Sequence, residues 1–234
     1  MHRFVKDHRF PNDIALVHAL AGEIRVDLEE AIAARGTASL VVSGGRTPIS
    51  LFHSLSAEPI DWSRIGITLA DERWIATDAV SSNERLVREN LLTGPAAKAH
   101  FIGLKNPSTR VEDGLAWAWQ ALSRIGRPFD VVVLGMGDDG HTASLFPNSP
   151  RVSQALDASA PAACVAMTAP VAPQERISLN MAALLDARRI VLHITGAGKW
   201  EIYKKACAAG PVSEFPVRGV LHQQQVPVDV FWSP

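Results

Sequence analysis

The sequence predicts an α/β protein with a mostly parallel sheet and helices on both of its faces. Short apolar runs rich in β-branched residues alternate with segments of helical periodicity, the pattern of successive βαβ units. Three loops of unusual composition each follow a predicted strand, as ligand-binding loops do in a Rossmann-like sheet. No linker-like segment interrupts the pattern, so residues 1–234 are expected to form a single domain.

Each predicted element has a local signal. Asn12 or Asp13 suits the N-cap of a first helix that stops before Gly36, and Thr47 as N-cap with Pro48 at the first helical position suits a second. Apolar spacing predicts the remaining elements. In chain order the elements are a helix at 13–35, a strand at 38–42, a helix at 48–55, a strand at 65–70, a helix around 86–92, a strand at 100–103, a helix at 111–125, strands at 129–134 and 189–195, a helix at 197–208 and a strand at 228–231. Core positions are predicted at Leu86, Leu91, Trp117, Ile190, Val191 and Leu192.

Composition excludes several classes of partner. The formal net charge is −1, so no basic field favours nucleic acid as a partner. No apolar run approaches the roughly 20 residues that cross a bilayer, and the amino terminus lacks a signal peptide. A cytoplasmic protein with no membrane partner is therefore expected, as a monomer or weak homo-oligomer. Cys164 and Cys207 show neither disulfide nor metal-ligand spacing, and Cys164 has no obvious base to make it a catalytic thiol.

The first unusual loop, 43–47, is suited to a phosphate group. Gly44 and Gly45 let the backbone approach a ligand closely, and the following helix presents free N–H groups. Ser43 belongs to the same loop, Thr47 adds a hydroxyl, and Arg46 adds a positive charge. A tight turn that needs glycine only for its backbone angles is the alternative. The loop is not a Walker phosphate-binding loop, which requires Gly-Lys-Ser/Thr.

The other two loops carry side chains suited to acid–base chemistry. His141 ends the loop 135–141 and is a candidate general base, because the ordinary histidine pKa is about 6.5. Asp71 could orient a base or sugar hydroxyls, and Arg73 could stabilise developing negative charge. Further along, Arg176 and Lys199 are candidate phosphate ligands. In isolation each of these residues would be interpreted as structural or as a surface charge; their meeting at one sheet edge favours a site.

Glycines at 135, 137 and 140 match a dinucleotide fingerprint. The loop, however, follows a late strand, and no helical pattern comes after it. The match is therefore interpreted as accidental.

Six segments, in order along most of the chain, resemble the 6-phosphogluconolactonase family. They are VVSGGRTP at 41–48, DERW at 71–74, SN at 82–83, GMGDDGHTASLFP at 135–147, ERISL at 175–179 and GK at 198–199. Glucosamine-6-phosphate deaminases share the first segment and the Asp-Gly-His, but they place a glutamate five residues after the histidine. That position is Phe146 here. Deaminases also usually carry an aromatic residue where this chain has Arg73.

The resemblance implies a deaminase/ribose-phosphate-isomerase-like fold that hydrolyses 6-phospho-D-glucono-1,5-lactone, a sugar-phosphate lactone, to 6-phospho-D-gluconate in the oxidative pentose phosphate pathway. It implies no metal and no organic cofactor. His141 corresponds to the family's proposed base and Arg73 to its active-site arginine. Arg46 varies in type within the family. Phosphate-site positions are implied at Gly44, Gly45, Thr47, Arg176 and Lys199.

Two alternatives remain at this point. A deaminase or isomerase would need the acid that is missing at Phe146. A sugar-phosphate-sensing domain of a transcription regulator would carry a helix-turn-helix segment, whereas the residues ahead of the first predicted strand hold one helix. His141 and Arg73 also favour an enzyme.

Overall fold

The computed structural model describes residues 4–234. Ten strands and eight α-helices are defined in this part of the chain, joined by loops and short 3₁₀ turns. The strands are β1 (Val5–Arg9), β2 (Ala38–Val42), β3 (Ile65–Leu69), β4 (Asp71–Arg73), β5 (His100–Ile102), β6 (Phe129–Leu134), β7 (Cys164–Thr168), β8 (Glu175–Leu179), β9 (Ala187–Thr195) and β10 (Val228–Ser233). The helices are α1 (Asp13–Arg35), α2 (Pro48–Ser56), α3 (Asn83–Asn90), α4 (Val111–Ala121), α5 (Val152–Ala155), α6 (Met181–Leu185), α7 (Ala197–Cys207) and α8 (Arg218–Leu221).

The larger sheet has seven strands in the order β1-β10-β9-β6-β2-β3-β5, and every neighbouring pair is parallel. All residues of β2 and β6 are buried, so these central strands are covered on both faces. Their mainly apolar sequences, each interrupted by a single buried polar residue (Ser39 and Asp130), are the reason why the sequence predicted them at the observed bounds. The predicted α/β class with a mostly parallel sheet is confirmed. Edge strand β1, polar in composition, was not predicted.

A second, antiparallel sheet of three strands, β4-β8-β7, lies beside the parallel one. Residues 71–73 were expected to form a loop, and this expectation is wrong: they form β4 and pair with β8. A three-residue strand is too short to show an alternating apolar pattern, so β4 can be recognised only from its pairing with β8. The register places Arg73 directly opposite Arg176.

The predicted helix ends are confirmed at α1 and only in part at α2. The side chain of Asn12 accepts a hydrogen bond from the Ala15 N–H at 2.9 Å, and Gly36 closes α1 in the left-handed region at φ +81°. α2 begins at Pro48 as expected. Thr47, however, has helical backbone angles, and its hydroxyl makes no capping hydrogen bond within the described chain.

The core contains most of the predicted positions. Leu91, Ile190, Val191 and Leu192 are fully buried, and Leu86 is half-buried. The prediction is wrong for Trp117, which is 53% exposed. α4 turns Val111, Gly114 and Ala118 inward, which leaves Trp117 on its outer side. Of the helices in residues 4–234, none is long and apolar enough to cross a membrane.

Candidate active site

The three segments singled out from the sequence, of which 71–73 is strand β4, meet in one crevice at the carboxyl edge of the parallel sheet. It has a volume of about 310 Å³. The loop after β2, the segment after β3, the loop after β6 and the start of α7 after β9 all contribute to its wall. The predicted convergence is thereby confirmed. Its polar lining residues are Ser43, Arg46, Thr47, Asp71, Arg73, Asn83, His141, Arg176, His193 and Lys199.

The loop after β2 needs its two glycines for different reasons. A Cβ at Gly44 would lie 1.9 Å from Oδ1 of Asn83, so the absence of a side chain lets Asn83 pack against the loop. Gly45 has φ +99°, which other residues rarely adopt. One glycine is therefore required by the turn and the other by the close packing of Asn83, and phosphate binding by this loop stays a prediction. Ser43 is buried, whereas Arg46 is exposed.

A buried carboxylate builds the wall beside this loop. Glu72 is fully buried and accepts hydrogen bonds from the backbone N–H groups of Arg73, Asn83 and Glu84 and from the hydroxyl of Ser82, at 2.7 to 3.0 Å. Burial raises the pKa of Glu72 above its usual value, although these four hydrogen bonds act in the opposite direction. Two of them hold the first residues of α3.

Asn83 connects this hydrogen-bonded segment to the residues of the crevice. Its Oδ1 accepts a hydrogen bond from Nη1 of Arg73 at 2.6 Å, and its Nδ2 donates to the carbonyl of Asp71 at 2.8 Å. The same Arg73 nitrogen also donates to the Ser81 carbonyl at 2.7 Å. The guanidinium of Arg73 is therefore held by neutral oxygens, which leave its positive charge unbalanced.

Arg176 lies opposite Arg73 and is 6% exposed. Burial, and then the charge of Arg73, lower the pKa of Arg176 below its usual value, while Asp71 and Glu72 oppose them. Within residues 4–234 neither arginine forms an ion pair, and the Nε of each is buried with no hydrogen-bond partner. Two adjacent cations in this state, Arg176 buried and Arg73 half-buried, favour an anion between or beside them.

His141 is held by Asp139, from the same loop. Its Nδ1 lies 2.5 Å from Oδ1 of Asp139, which also accepts the His141 backbone N–H at 3.1 Å. Burial alone would raise the pKa of Asp139, but the hydrogen bond and charge of His141 outweigh it and lower that pKa. An ionised carboxylate only accepts, so Nδ1 carries the hydrogen and Nε2 is the imidazole's acceptor nitrogen. Gly137 leaves the room for this ring, because a Cβ there would lie 2.1 Å from it.

Asp71 occupies a different place from the one predicted for a base-orienting acid. It is buried, and its Oδ2 accepts a hydrogen bond from the Ser144 hydroxyl at 2.5 Å. The carboxylate that contacts His141 is Asp139, so orientation of the base by Asp71 is not what the geometry provides. A contact between Asp71 and sugar hydroxyls stays a prediction.

Lys199 enters the crevice from the first turn of α7, half-buried and without an ion pair in the described chain. Near it lies His193 of β9, whose two ring nitrogens are buried and have no hydrogen-bond partner in residues 4–234. The charge of Lys199 reaches this ring.

Unsatisfied polar atoms concentrate at this crevice. In residues 4–234, six buried side-chain nitrogen and oxygen atoms lack a hydrogen-bond partner, and five of them belong to crevice residues. The five are on Ser43, Arg73, Arg176 and His193. Buried polar groups are nearly always paired in native proteins, so this clustering indicates a polar ligand. The residues described contain no group of three or more His, Cys, Asp or Glu side chains placed to hold a metal ion.

The sequence analysis assigned no functional role to four residues that belong to the site or support it: Glu72, Asn83, Asp139 and His193. Glu72 and Asp139 stand in the motifs and carry ionisable side chains, but nothing in their spacing separates a ligand contact from support of a neighbour. His193 lies in an apolar run that predicts a buried strand. A histidine at the carboxyl end of such a run was an available signal, since β9 leads into the crevice.

A crevice lined by Arg46, Arg73, Arg176 and Lys199, with a carboxylate-held histidine at the carboxyl edge of a parallel sheet, is typical of an α/β enzyme that acts on small anionic substrates. The sequence model of the family described as glucosamine-6-phosphate isomerases/6-phosphogluconolactonase matches residues 11–232. The chain belongs to this family.

Individual relatives agree with the family model. A 6-phosphogluconolactonase of Rhizobium meliloti is 44% identical over 97% of this chain and 98% of its own. The crystal structure of a 6-phosphogluconolactonase from Shewanella baltica is 50% identical, covers the whole of both chains and superposes with a TM-score of 0.95. A monomeric glucosamine-6-phosphate deaminase, 17% identical with a TM-score of 0.78, shares the fold.

Proposed function

We propose that this chain hydrolyses 6-phospho-D-glucono-1,5-lactone to 6-phospho-D-gluconate, the reaction named for its relatives, and thereby serves the oxidative pentose phosphate pathway. The observation that carries the proposal is the presence in one crevice of His141 and four cations that form no ion pair with any residue of 4–234. The four cations are Arg46, Arg73, Arg176 and Lys199. A substrate that carries both a phosphate and an ester needs a cationic region and a base together.

The phosphate is proposed to bind at the loop 43–47. Backbone N–H groups at the start of α2, the Ser43 hydroxyl, Thr47 and the ammonium of Lys199 supply donors and charge. Arg176 adds a planar, always-charged group whose Nε has no partner within the described chain. Because the phosphate is remote from the scissile bond, its binding also holds the lactone carbonyl in register with the base.

His141 is proposed to act first as base and then as acid. Its Nε2 takes a proton from water as the water oxygen bonds to the carbonyl carbon, whose π electrons move to the carbonyl oxygen. When the tetrahedral oxyanion collapses, the bond to the ring oxygen breaks and Nε2 returns the proton to that oxygen. Asp139 supports the intermediate imidazolium, since it already accepts the Nδ1 hydrogen at 2.5 Å.

Arg73 is proposed to offset the charge on the tetrahedral oxygen. Asn83 and Ser81 hold only its Nη1, so its charge and remaining donors stay available. Phe146 further favours the lactonase over the deaminase. Its ring packs on the imidazole of His141, with the centroids 4.4 Å apart, at the position where a deaminase carries its extra acid.

The deciding experiment compares two reactions of the wild-type protein. Disappearance of freshly generated 6-phosphogluconolactone should be accelerated, and ammonia release from glucosamine 6-phosphate should stay at background. Ammonia release without lactone hydrolysis would replace the proposal with the deaminase.

His141→Ala tests the assigned base. It should lower kcat/KM by about 10²- to 10⁴-fold, the usual contribution of a general base, while the melting temperature stays close to that of the wild type. His53→Ala is the matched control, because His53 is also bonded by a single side chain, Asn90, but does not line the crevice. A His141→Ala protein that retains more than about a tenth of the wild-type kcat/KM would rule out the base assignment.

A further inference from the structure

His193 lines the crevice and has no role in the proposed mechanism. It belongs to β9, is 3% exposed and is one of the residues that line the cavity. Neither ring nitrogen has a hydrogen-bond partner in residues 4–234. A single strand thus places an unpaired donor and an unpaired acceptor in the wall of a crevice that Arg176 and Lys199 also line.

The other histidines show how unusual this state is within the molecule. The His8, His53, His141 and His222 rings each have a hydrogen-bonded partner at 2.5 to 2.9 Å. Two more, at 18 and 100, are exposed and can bond to water. His193 is the buried one without a partner in the described chain, although a buried polar group is costly to leave unpaired.

The surroundings of His193 indicate which ligand it suits. The charge of the Lys199 ammonium, in the first turn of α7, lowers the pKa of the ring, and the charge of the Asp13 carboxylate, at the start of α1, raises it. Burial, more than either charge, lowers the pKa of His193 to about 4. The ring is therefore neutral at physiological pH and retains one N–H to donate.

We propose that His193 is an additional binding residue that donates a hydrogen bond to the phosphoryl group of the substrate, beside Lys199. The inference rests on the proposed function for the identity of the phosphorylated substrate. The unpaired buried nitrogens supply the donor, and the adjacent ammonium supplies the reason why an anionic oxygen occupies this part of the crevice. His193 would then help to discriminate phosphorylated from unphosphorylated sugars without contributing to the chemistry.

The test uses His193→Leu and His193→Gln, with inorganic phosphate and 6-phospho-D-gluconate as titrants in calorimetry. His193→Leu should weaken binding of both by about 10- to 150-fold, the usual contribution of a hydrogen bond to a charged group. His193→Gln keeps an N–H donor and should restore most of that affinity. Turnover of unphosphorylated glucono-δ-lactone should be unchanged in both variants.

Stability separates this role from a structural one. Removing two unpaired buried nitrogens should leave the melting temperature of the ligand-free His193→Leu protein unchanged or raised, whereas loss of a structural residue would lower it. Should His193→Leu fail to fold, the ¹⁵N-labelled imidazole of His193 in the wild type still reports the contact, because its resonances should shift when inorganic phosphate is added. Unchanged resonances, an unchanged phosphate affinity in a folded His193→Leu, or equal losses on both lactones would each overturn the inference.

The outcomes also distinguish this inference from the proposed function. If the wild type does not hydrolyse the lactone and His193→Leu still weakens inorganic phosphate binding, the proposed reaction fails and the phosphate contact stands. If the wild type hydrolyses the lactone and His193→Leu binds phosphate as the wild type does, the reaction stands and the contact fails.

Discussion

Two arginines with little exposure, Arg176 and Arg189, have opposite surroundings. Arg189, on β9, donates to the carboxylates of Glu23, Asp27 and Asp229 at 2.5, 2.8 and 2.8 Å. Burial alone would lower its pKa, but its hydrogen bonds to Glu23 and Asp27 raise that pKa above the usual value. Arg176, on β8, has no carboxylate bonded to it within residues 4–234 and lies opposite another arginine.

The difference separates a cation that supports the fold from one that we propose binds a ligand. Three carboxylates compensate the desolvation of Arg189 and tie α1, β9 and β10 together. Arg176 is desolvated without such compensation, and its pKa is lowered accordingly. The uncompensated charge of Arg176 lowers the stability of the ligand-free protein, and pairing with a bound anion would offset this cost.

Arg189→Met should give the largest change in stability. It leaves three carboxylates without their cation, so the free energy of unfolding should fall by about 3–5 kcal/mol, as when one partner of a buried pair is removed. Well below the melting temperature, kcat/KM should stay near the wild-type value, because Arg189 does not line the crevice. A stable but inactive Arg189→Met variant would contradict the distinction between a structural Arg189 and a ligand-binding Arg176.

His193 adds a buried base with no carboxylate bonded to it. Because its pKa is about 4 in the folded protein and about 6.5 when unfolded, the unfolded chain binds more protons between these values. The free energy of unfolding therefore has its full value above about pH 6.5 and falls by about 3 kcal/mol as the pH drops through 4. Asp13 and Lys199 are the charged groups that act on the ring. Urea unfolding at several pH values should show this loss in the wild type, and His193→Leu should lack it; parallel curves for the two proteins would contradict the assignment.

Arg176→Met should produce the converse of Arg189→Met. The free energy of unfolding should be unchanged or higher, because an uncompensated buried charge is removed. Binding of 6-phospho-D-gluconate should weaken by about 10- to 150-fold, or about 1.5–3 kcal/mol, for loss of a charge-assisted contact. Calorimetric titration of both variants, with Arg189→Met as the matched control, measures this contrast. Equal affinities would mean that Arg176 is structural after all.

The smallest expected effect is that of chelation. Arginine and lysine side chains supply the positive charge of the crevice, and the described residues hold no cluster of three or more metal-ligating side chains. Exhaustive dialysis against EDTA should therefore leave kcat/KM unchanged. Activity lost on chelation and regained with a divalent cation would require a metal in the mechanism.

The local sequence was sufficient for the strands and helices with strong periodicity. β2 and β6 were predicted at their observed bounds, because both faces of a central parallel strand are buried and all but one residue of each strand is apolar. The convergence of three loops also followed from the sequence, since carboxyl ends of parallel strands share one edge. Trp117 was misassigned because periodicity identifies a helix more reliably than it identifies which face is covered.

The residue types suited to the site were present in the sequence, but only the tertiary structure decided which side chains are paired. Arg176 and Arg189 are the same residue type in apolar surroundings, and nothing local distinguishes them. Asp71 and Asp139 are both acids after strands, yet only Asp139 reaches His141. The physical reason is that ion pairs and hydrogen bonds form between residues remote in the chain, such as Arg189 with Glu23 or Arg73 with Asn83. Their presence or absence is a property of packing between elements.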